Sequence, residues 1–278
     1  MAGFSAEWLA LREPADHASR SVAVTRAVVD ALPRHPPLRV LDLAAGTGSN
    51  LRYLMAAGSE RTRPTLALDG SRPALWLLVD HDPALLSQVP TLPGLETRCM
   101  DLATLGDPGI FDGRALVTAS ALLDLASEGW LRTLADRCAD VGAAVLFALT
   151  YDGRIECSPP DPDDDRIRAL VNRHQRIDKG FGPALGPAAT DCAARCFASL
   201  GYDVRRAHSD WRLPPESREL QQLLIDGWAQ AATQVAPSEA AVVAAWRRRR
   251  LAHVAVNLSH LIVGHEDLAA WKSEDRRT

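Results

Sequence analysis

The chain has 278 residues, 47% of them hydrophobic, and a formal net charge of -4. That length accommodates one large domain or two small ones, and burying roughly three-quarters of the unfolded surface gives a core that needs no staples. The acidic balance argues against a nucleic-acid partner, no run approaches about 20 uninterrupted apolar residues, so no membrane span is expected, and the charges scattered through MAGFSAEWLALREPADHASR exclude a signal peptide.

Residues 5–32 carry helical spacing, and Pro14 is expected to separate two helices with Asp16 as the second N-cap. Strands and helices then alternate. The strands are expected at 38–43, 75–80, 95–102, 115–123 and 143–151, with helices at 49–57, from Pro83 and at 129–140. Continuous apolar strands alternating with helices predict a parallel sheet covered on both faces. Residues 152–188 break the pattern with Asp, Pro and Gly and read as an insertion, helical at 163–177 with loop-like ends. A helix at 190–200, a sixth strand at 202–213, helices near 216–234 and 238–256, and a last strand at 260–266 follow. The five cysteines are scattered and form no CxxC pair, which fits a reducing, cytoplasmic compartment; Cys192 and Cys196, one helical turn apart, read as small buried thiols. No tight ligand spacing suggests a metal site. Arg247 to Arg250 on a helix point all round it, so they form no single patch.

The loop after the first strand reads RVLDLAAGTGSNLRYL. In an open parallel sheet, ligands bind at the carboxyl ends of the strands, at the point where strand order reverses. Gly46 and Gly48 let the backbone turn tightly and approach a ligand. A phosphate loop would carry Gly-Lys-Ser/Thr, and here the residues are Ser49 and Asn50. A dinucleotide loop would place a third glycine where Leu51 stands. Asp42, just before the glycines, repels a pyrophosphate and suits a positively charged ligand. The second strand ends in Asp80, with Asp69 as its rival, and the third ends in Asp101.

Val40-Leu41-Asp42-Leu43-Ala44-Ala45-Gly46-Thr47-Gly48 resembles the first motif, h-h-D-h-x-x-G-x-G, of the class I S-adenosylmethionine-dependent methyltransferases. The resemblance implies a Rossmann-like doubly wound α/β fold: a seven-stranded, mostly parallel sheet with helices on both faces. An N-terminal helical cap (1–37) precedes the main domain (38–278), which carries the insertion, or lid, at 152–188. The implied cofactor is S-adenosyl-L-methionine, held by Arg20, Asp42, Ala44, Gly46, Gly48, Asn50, Asp80, His81, Asp101, Leu102 and Ser120. The implied reaction is methyl transfer to an O or N atom of a small-molecule acceptor. Asp124, Tyr151 and His174 are the candidate catalytic residues, Trp211 is a candidate pocket wall, and Arg12, like Arg20, is expected to reach a carboxylate of the cofactor's methionine end or of a substrate acid. Neither nucleic acid nor membrane is an expected partner, and a homodimer is admitted. The alternatives are a NAD-dependent oxidoreductase and a noncatalytic nucleoside-binding protein of the same fold.

Overall fold

The structure, a computed structural model, describes residues 5–33, 37–56 and 74–272. Its strands are β1 (Leu38–Leu43), β2 (Ala74–Asp80), β3 (Leu95–Cys99), β4 (Leu116–Ser120), β5 (Ala144–Ser158), β6 (Tyr202–His208), β7 (Trp211–Leu213) and β8 (His260–Lys272). They form one sheet in the order β3-β2-β1-β4-β5-β8-β6, with β7 paired to β8. Strands β1 to β5 pair in parallel, and β8 runs antiparallel to β5, β6 and β7. The order therefore reverses at β1, between β2 and β4, and the crevice beyond the carboxyl end of β1 is the expected ligand position.

Period-2 alternation sorts the side chains. Leu41, Leu43, Val79, Val117 and Phe147 face the core shared with α5 (Glu128–Asp140) and α7 (Ala189–Ser199). Val40, Trp76, Leu78, Leu116 and Leu146 face α2 (Val22–Ala31) and α3 (Ser49–Met55). With both faces covered, β1, β2 and β4 are apolar almost throughout. A third core gathers Tyr151, Trp211, Trp228 and Trp246 with α6 (Asp164–His174), α8 (Arg218–Val235) and α9 (Ala240–Ala255). The short α4 (Pro83–Leu86) follows β2, with Asp82 as its N-cap. Among the described residues no helix is long and apolar enough to cross a membrane.

Four expectations are corrected. Pro14 does not divide the N-terminal segment: α1 runs unbroken over Ala6–Ser19, and the chain turns instead at Arg20, after which Ser21 caps α2. An interior proline costs a helix one hydrogen bond, and here tertiary anchors outweigh that loss. Asp16 is no cap. It is buried, bonds Arg12 at 2.9 Å and accepts from Trp211 Nε1 at 3.0 Å. The insertion begins later than expected, because 152–158 continues β5. Ile155 and Cys157 pack inward on alternate positions, and bulges between Phe147 and Thr150 and between Tyr151 and Ile155 keep the pairing with β8. The sixth strand is two, interrupted at Ser209 and Asp210, so the sheet has eight strands rather than seven. Asp69, the rival to Asp80, lies outside the described residues.

Candidate functional site

The site begins with the turn after β1. Ala44 and Gly46 adopt φ values of 53° and 54°, and Gly48, at 83°, opens α3. A Cβ on Gly46 would lie 3.1 Å from Leu9 Cδ1, so α1 roofs this loop closely. Two polar anchors hold the roof. His17 Nε2 lies 3.1 Å from both Ser49 oxygens, and Arg52 donates to Glu13 at 2.7 Å and to the Thr47 carbonyl at 2.6 Å.

Beneath the loop lies a buried polar chain. Arg20 Nη1 donates to Asn50 Oδ1 at 2.8 Å, and Asn50 Nδ2 donates to Asp42 Oδ1 at 2.7 Å and to Thr118 Oγ1 at 3.1 Å. The Arg20 guanidinium also lies 4.2 Å from the Tyr53 ring centre and 3.7 Å from Asp267. Asp42 is fully buried, and burial pushes its carboxyl up to about 7; Asn50 and Arg20 pull it down and the charge of Asp80 pushes it up. Asp42 Oδ2 and Arg20 Nε and Nη2 are buried without hydrogen-bond partners.

At the end of β2, Asp80 Oδ2 accepts from the Gly46 amide at 2.8 Å and Oδ1 from the Asp82 amide at 3.0 Å. Its carboxylate thereby ties β2 to the glycine loop. His81 is exposed, with Nδ1 3.2 Å from Asp80. Asp101 is exposed and accepts from the Ala103 amide at 2.8 Å. Leu102 is buried, and its carbonyl accepts from Trp130 Nε1 at 2.7 Å. Ser120, half-buried, ends β4 just before Ala121, whose φ is 54°.

A second group lies beyond β4 and β5. Asp124 is buried in the short 3-10 turn Leu123–Leu125 with Oδ1 unpartnered. Burial raises its carboxyl to about 6, against the lowering effect of backbone amides and of Arg12 and Lys179. The Tyr151 hydroxyl donates to Asn172 of α6 at 2.7 Å, and burial holds its phenol well above the ordinary range. The Arg12 guanidinium sits 5.1 Å from the Trp211 ring centre. Trp211 and Tyr151 both stack against His265, with ring centres 5.1 Å and 6.3 Å away. Burial and the charge of Arg12 hold the His265 imidazole down at about 3, so it is neutral.

Asp42, Asn50, Arg20, Asp80 and the glycines thus come together, and Asp124 and Tyr151 adjoin each other through the Tyr151 backbone. His174 stands apart from these carboxylates. Its Nε2 lies 2.8 Å from Gln234 Oε1 and its Nδ1 3.4 Å from Lys179 Nζ. His265 and Asn172 have no signal in the sequence, since each is a lone polar residue in an ordinary strand or helix. Asp152, His208 and Asp210 hold atoms within 4.8 Å of one another, but the Arg154 guanidinium fills their centre, 2.6 Å from Asp152 and 2.5 Å from Asp210. This cluster is an ion-pair knot. Three of the four arginines in the run on α9 are likewise paired with acids: Arg247 with Asp226, Arg249 with Asp161 and Asp163, and Arg250 with Asp164.

No protein-family model matches the chain, and no curated protein matches it. Among solved structures, it is similar to a cyclopropane synthase from Mycobacterium tuberculosis, with 11% identity, a TM-score of 0.49, and 97% of this chain and 95% of that one covered. It is also similar to a SAM-dependent methyltransferase from Thiobacillus denitrificans in complex with S-adenosyl-L-homocysteine. There the identity is 13%, the TM-score 0.45, and the coverage 97% of this chain and 99% of that one.

Proposed function

We propose that the chain is an S-adenosylmethionine-dependent methyltransferase that acts on an O or N atom of a small-molecule acceptor. The observation that carries this reading is a pair of oppositely charged buried groups beside the glycine loop with atoms that lack a hydrogen-bond partner: Asp42 Oδ2, and Arg20 Nη2, whose neighbouring Nε lies 3.7 Å from Asp267. Buried polar atoms are nearly always paired. A ligand with both an ammonium and a carboxylate, the amino-acid end of S-adenosylmethionine, satisfies both. A pyrophosphate would meet the Asp42 carboxylate at the same loop, which disfavours the NAD reading.

The fit extends along the strand ends. Asp80 is placed to accept hydrogen bonds from ribose hydroxyls, since each of its oxygens retains a free lone pair beyond the backbone bonds it accepts. Asp101 keeps an oxygen free for the adenine amine. Bound there, S-adenosylmethionine supplies a methyl group on a cationic sulfur, which the acceptor's lone pair takes while the sulfur keeps the bonding electrons.

The chain's own residues orient the acceptor and handle its proton. Asp124, with a carboxyl raised to about 6, is ionised at neutral pH and takes the proton that the acceptor loses. Tyr151, fixed by Asn172, walls the same side, and α1 excludes water above the loop. In this proposal the segment after β5, held to α9 by Arg249 and Arg250, is a fixed wall. His174 supports it through Lys179 and Gln234.

Isothermal titration with S-adenosylmethionine, S-adenosylhomocysteine and NAD, on wild type and Asp80→Ala, tests the reading. Both adenosyl ligands are expected to bind, more weakly in the variant. Binding of NAD alone, or of no adenosyl ligand, overturns it.

A further inference from the structure

Beside the carboxyl end of β4, two buried side-chain atoms lack any hydrogen-bond partner: Asp124 Oδ1 and His265 Nδ1. Each marks a place that a group from outside the chain can satisfy. They are neighbours of the same two residues. Tyr151 is the cross-strand partner of His265 in the β5–β8 ladder, and its backbone and the Asp124 carboxylate act on each other. The charge of Arg12 reaches both Asp124 and His265.

The charges around these atoms are already balanced. Arg12 holds Asp16 at 2.9 Å, and Lys179 faces Asp124. A charged ligand would therefore lose its hydration without gaining an unpaired counter-charge. An uncharged molecule avoids that cost. The surroundings are apolar and aromatic: the Trp211 ring lies 5.1 Å from His265 at an angle of 51°, and Trp8, Leu11 and Ala121 pack against the same core. Such walls favour an aromatic ring. A carboxylate that ionises near neutrality, with one oxygen free, calls for a hydroxyl that gives up a proton.

We propose that His265 binds the methyl acceptor, and that this acceptor is an uncharged aromatic hydroxy compound whose hydroxyl meets both Asp124 Oδ1 and His265 Nδ1. The proposal rests on the methyltransferase reading for its chemistry, but the binding site stands on its own contacts. His265 is held in place by its neighbours on β7 and by Ser209, whose amide donates to the His265 carbonyl at 2.8 Å. A neutral imidazole offers Nδ1 as donor or acceptor without adding charge.

Three probes of one shape decide the matter: 2-naphthol, 2-naphthoate and 2-naphthylmethylammonium, titrated into protein saturated with S-adenosylhomocysteine. Naphthol is expected to bind tightest of the three. His265→Leu is expected to weaken naphthol about tenfold, the loss of one hydrogen bond, while His265→Asn, whose amide reaches the position of Nδ1, stays within about threefold of wild type. The S-adenosylhomocysteine affinity should not change in either variant. Tighter binding of naphthoate or of the ammonium probe to wild type overturns the proposal, and that comparison needs no variant. Unchanged naphthol affinity in a folded His265→Leu also overturns it. Failure of S-adenosylhomocysteine to bind overturns the cofactor reading alone, and the same titrations on the free protein then decide the role of His265.

Discussion

The Asn50 amide joins Asp42 to Arg20, donating to the carboxylate at 2.7 Å while its own oxygen accepts from the guanidinium at 2.8 Å. One neutral side chain thus separates a buried carboxyl from a buried guanidinium, and Asp42 Oδ2 and Arg20 Nη2 keep no hydrogen-bond partner while Arg20 Nε lies 3.7 Å from Asp267. A direct salt bridge would have consumed them. The amide spacer keeps the two groups from pairing directly.

That arrangement sets a pH dependence. The Asp42 carboxyl is raised to about 7 in the folded protein, against about 4 when unfolded. The folded state therefore holds a proton that the unfolded state has lost, so this group's contribution to stability is full below about 4 and disappears as pH rises through 7. Asp42→Asn should remove that component: the melting temperature of wild type relative to the variant falls between pH 5 and about 8, as calorimetry will record. A cationic ligand favours the ionised form. S-adenosylmethionine affinity should rise over the same range in wild type and stay flat in the variant.

Gly46→Ala tests the loop. Its φ of +54° is unfavourable for any residue with a Cβ, and the new carbon would stand 3.1 Å from Leu9 Cδ1. Destabilisation of about 1–2 kcal/mol is expected from the backbone alone. Adding Leu9→Ala should relieve the contact but not the backbone cost. Denaturant unfolding of single and double variants separates the two, and a double variant as stable as Leu9→Ala alone would refute the backbone argument.

Asp124→Asn keeps the shape and removes the base. With a carboxyl near 6, the wild-type rate should rise as pH increases through that value and then level. The variant should lose the limb and about two to four orders of magnitude in kcat, with KM little changed. A variant that turns over at the wild-type rate shows that the acceptor needs no base.

Asp164→Ala tests what fixes the wall after β5. Arg250 is fully buried and donates through Nε to Asp164 at 3.0 Å and through Nη1 to the Pro159 carbonyl at 2.6 Å. Removing one partner of a buried pair leaves an uncompensated charge, so a loss of about 3–5 kcal/mol is expected. Faster proteolytic cleavage within 159–188 should accompany it, as mass spectrometry of the fragments will show. Asp164→Asn, which keeps an acceptor, should lose less on both measures.

The ligand end of the sheet is legible in the amino-acid sequence. Strands β1, β2 and β4 are buried on both faces, so their sequences are nearly continuous apolar runs, with Asp42 near the end of β1 and Asp80 at the end of β2; β3, LETRC, is a half-exposed edge strand that carries no such run, and Asp101 lies just beyond it. Gly46 and Gly48 are legible because a turn with positive φ excludes most other residues. These signals are local, and a short window of residues carries them. Residues set by contacts far along the chain bear no such mark. Asp16 reads as a cap because aspartate favours caps, and its real partner is Trp211, 195 positions away. Residues 152–158 read as a loop because their charges are paired by Arg154 and Asp210 across the sheet. His265 is an ordinary strand residue in sequence, and it gains an unpartnered buried nitrogen only when β8 inserts between β5 and β6 and α1 brings Arg12 over Trp211. Periodicity and turn chemistry therefore determine the sheet and its glycine loop, whereas the surroundings of Asp124 and His265 are decided by which distant polar groups folding brings together and which it leaves unpaired.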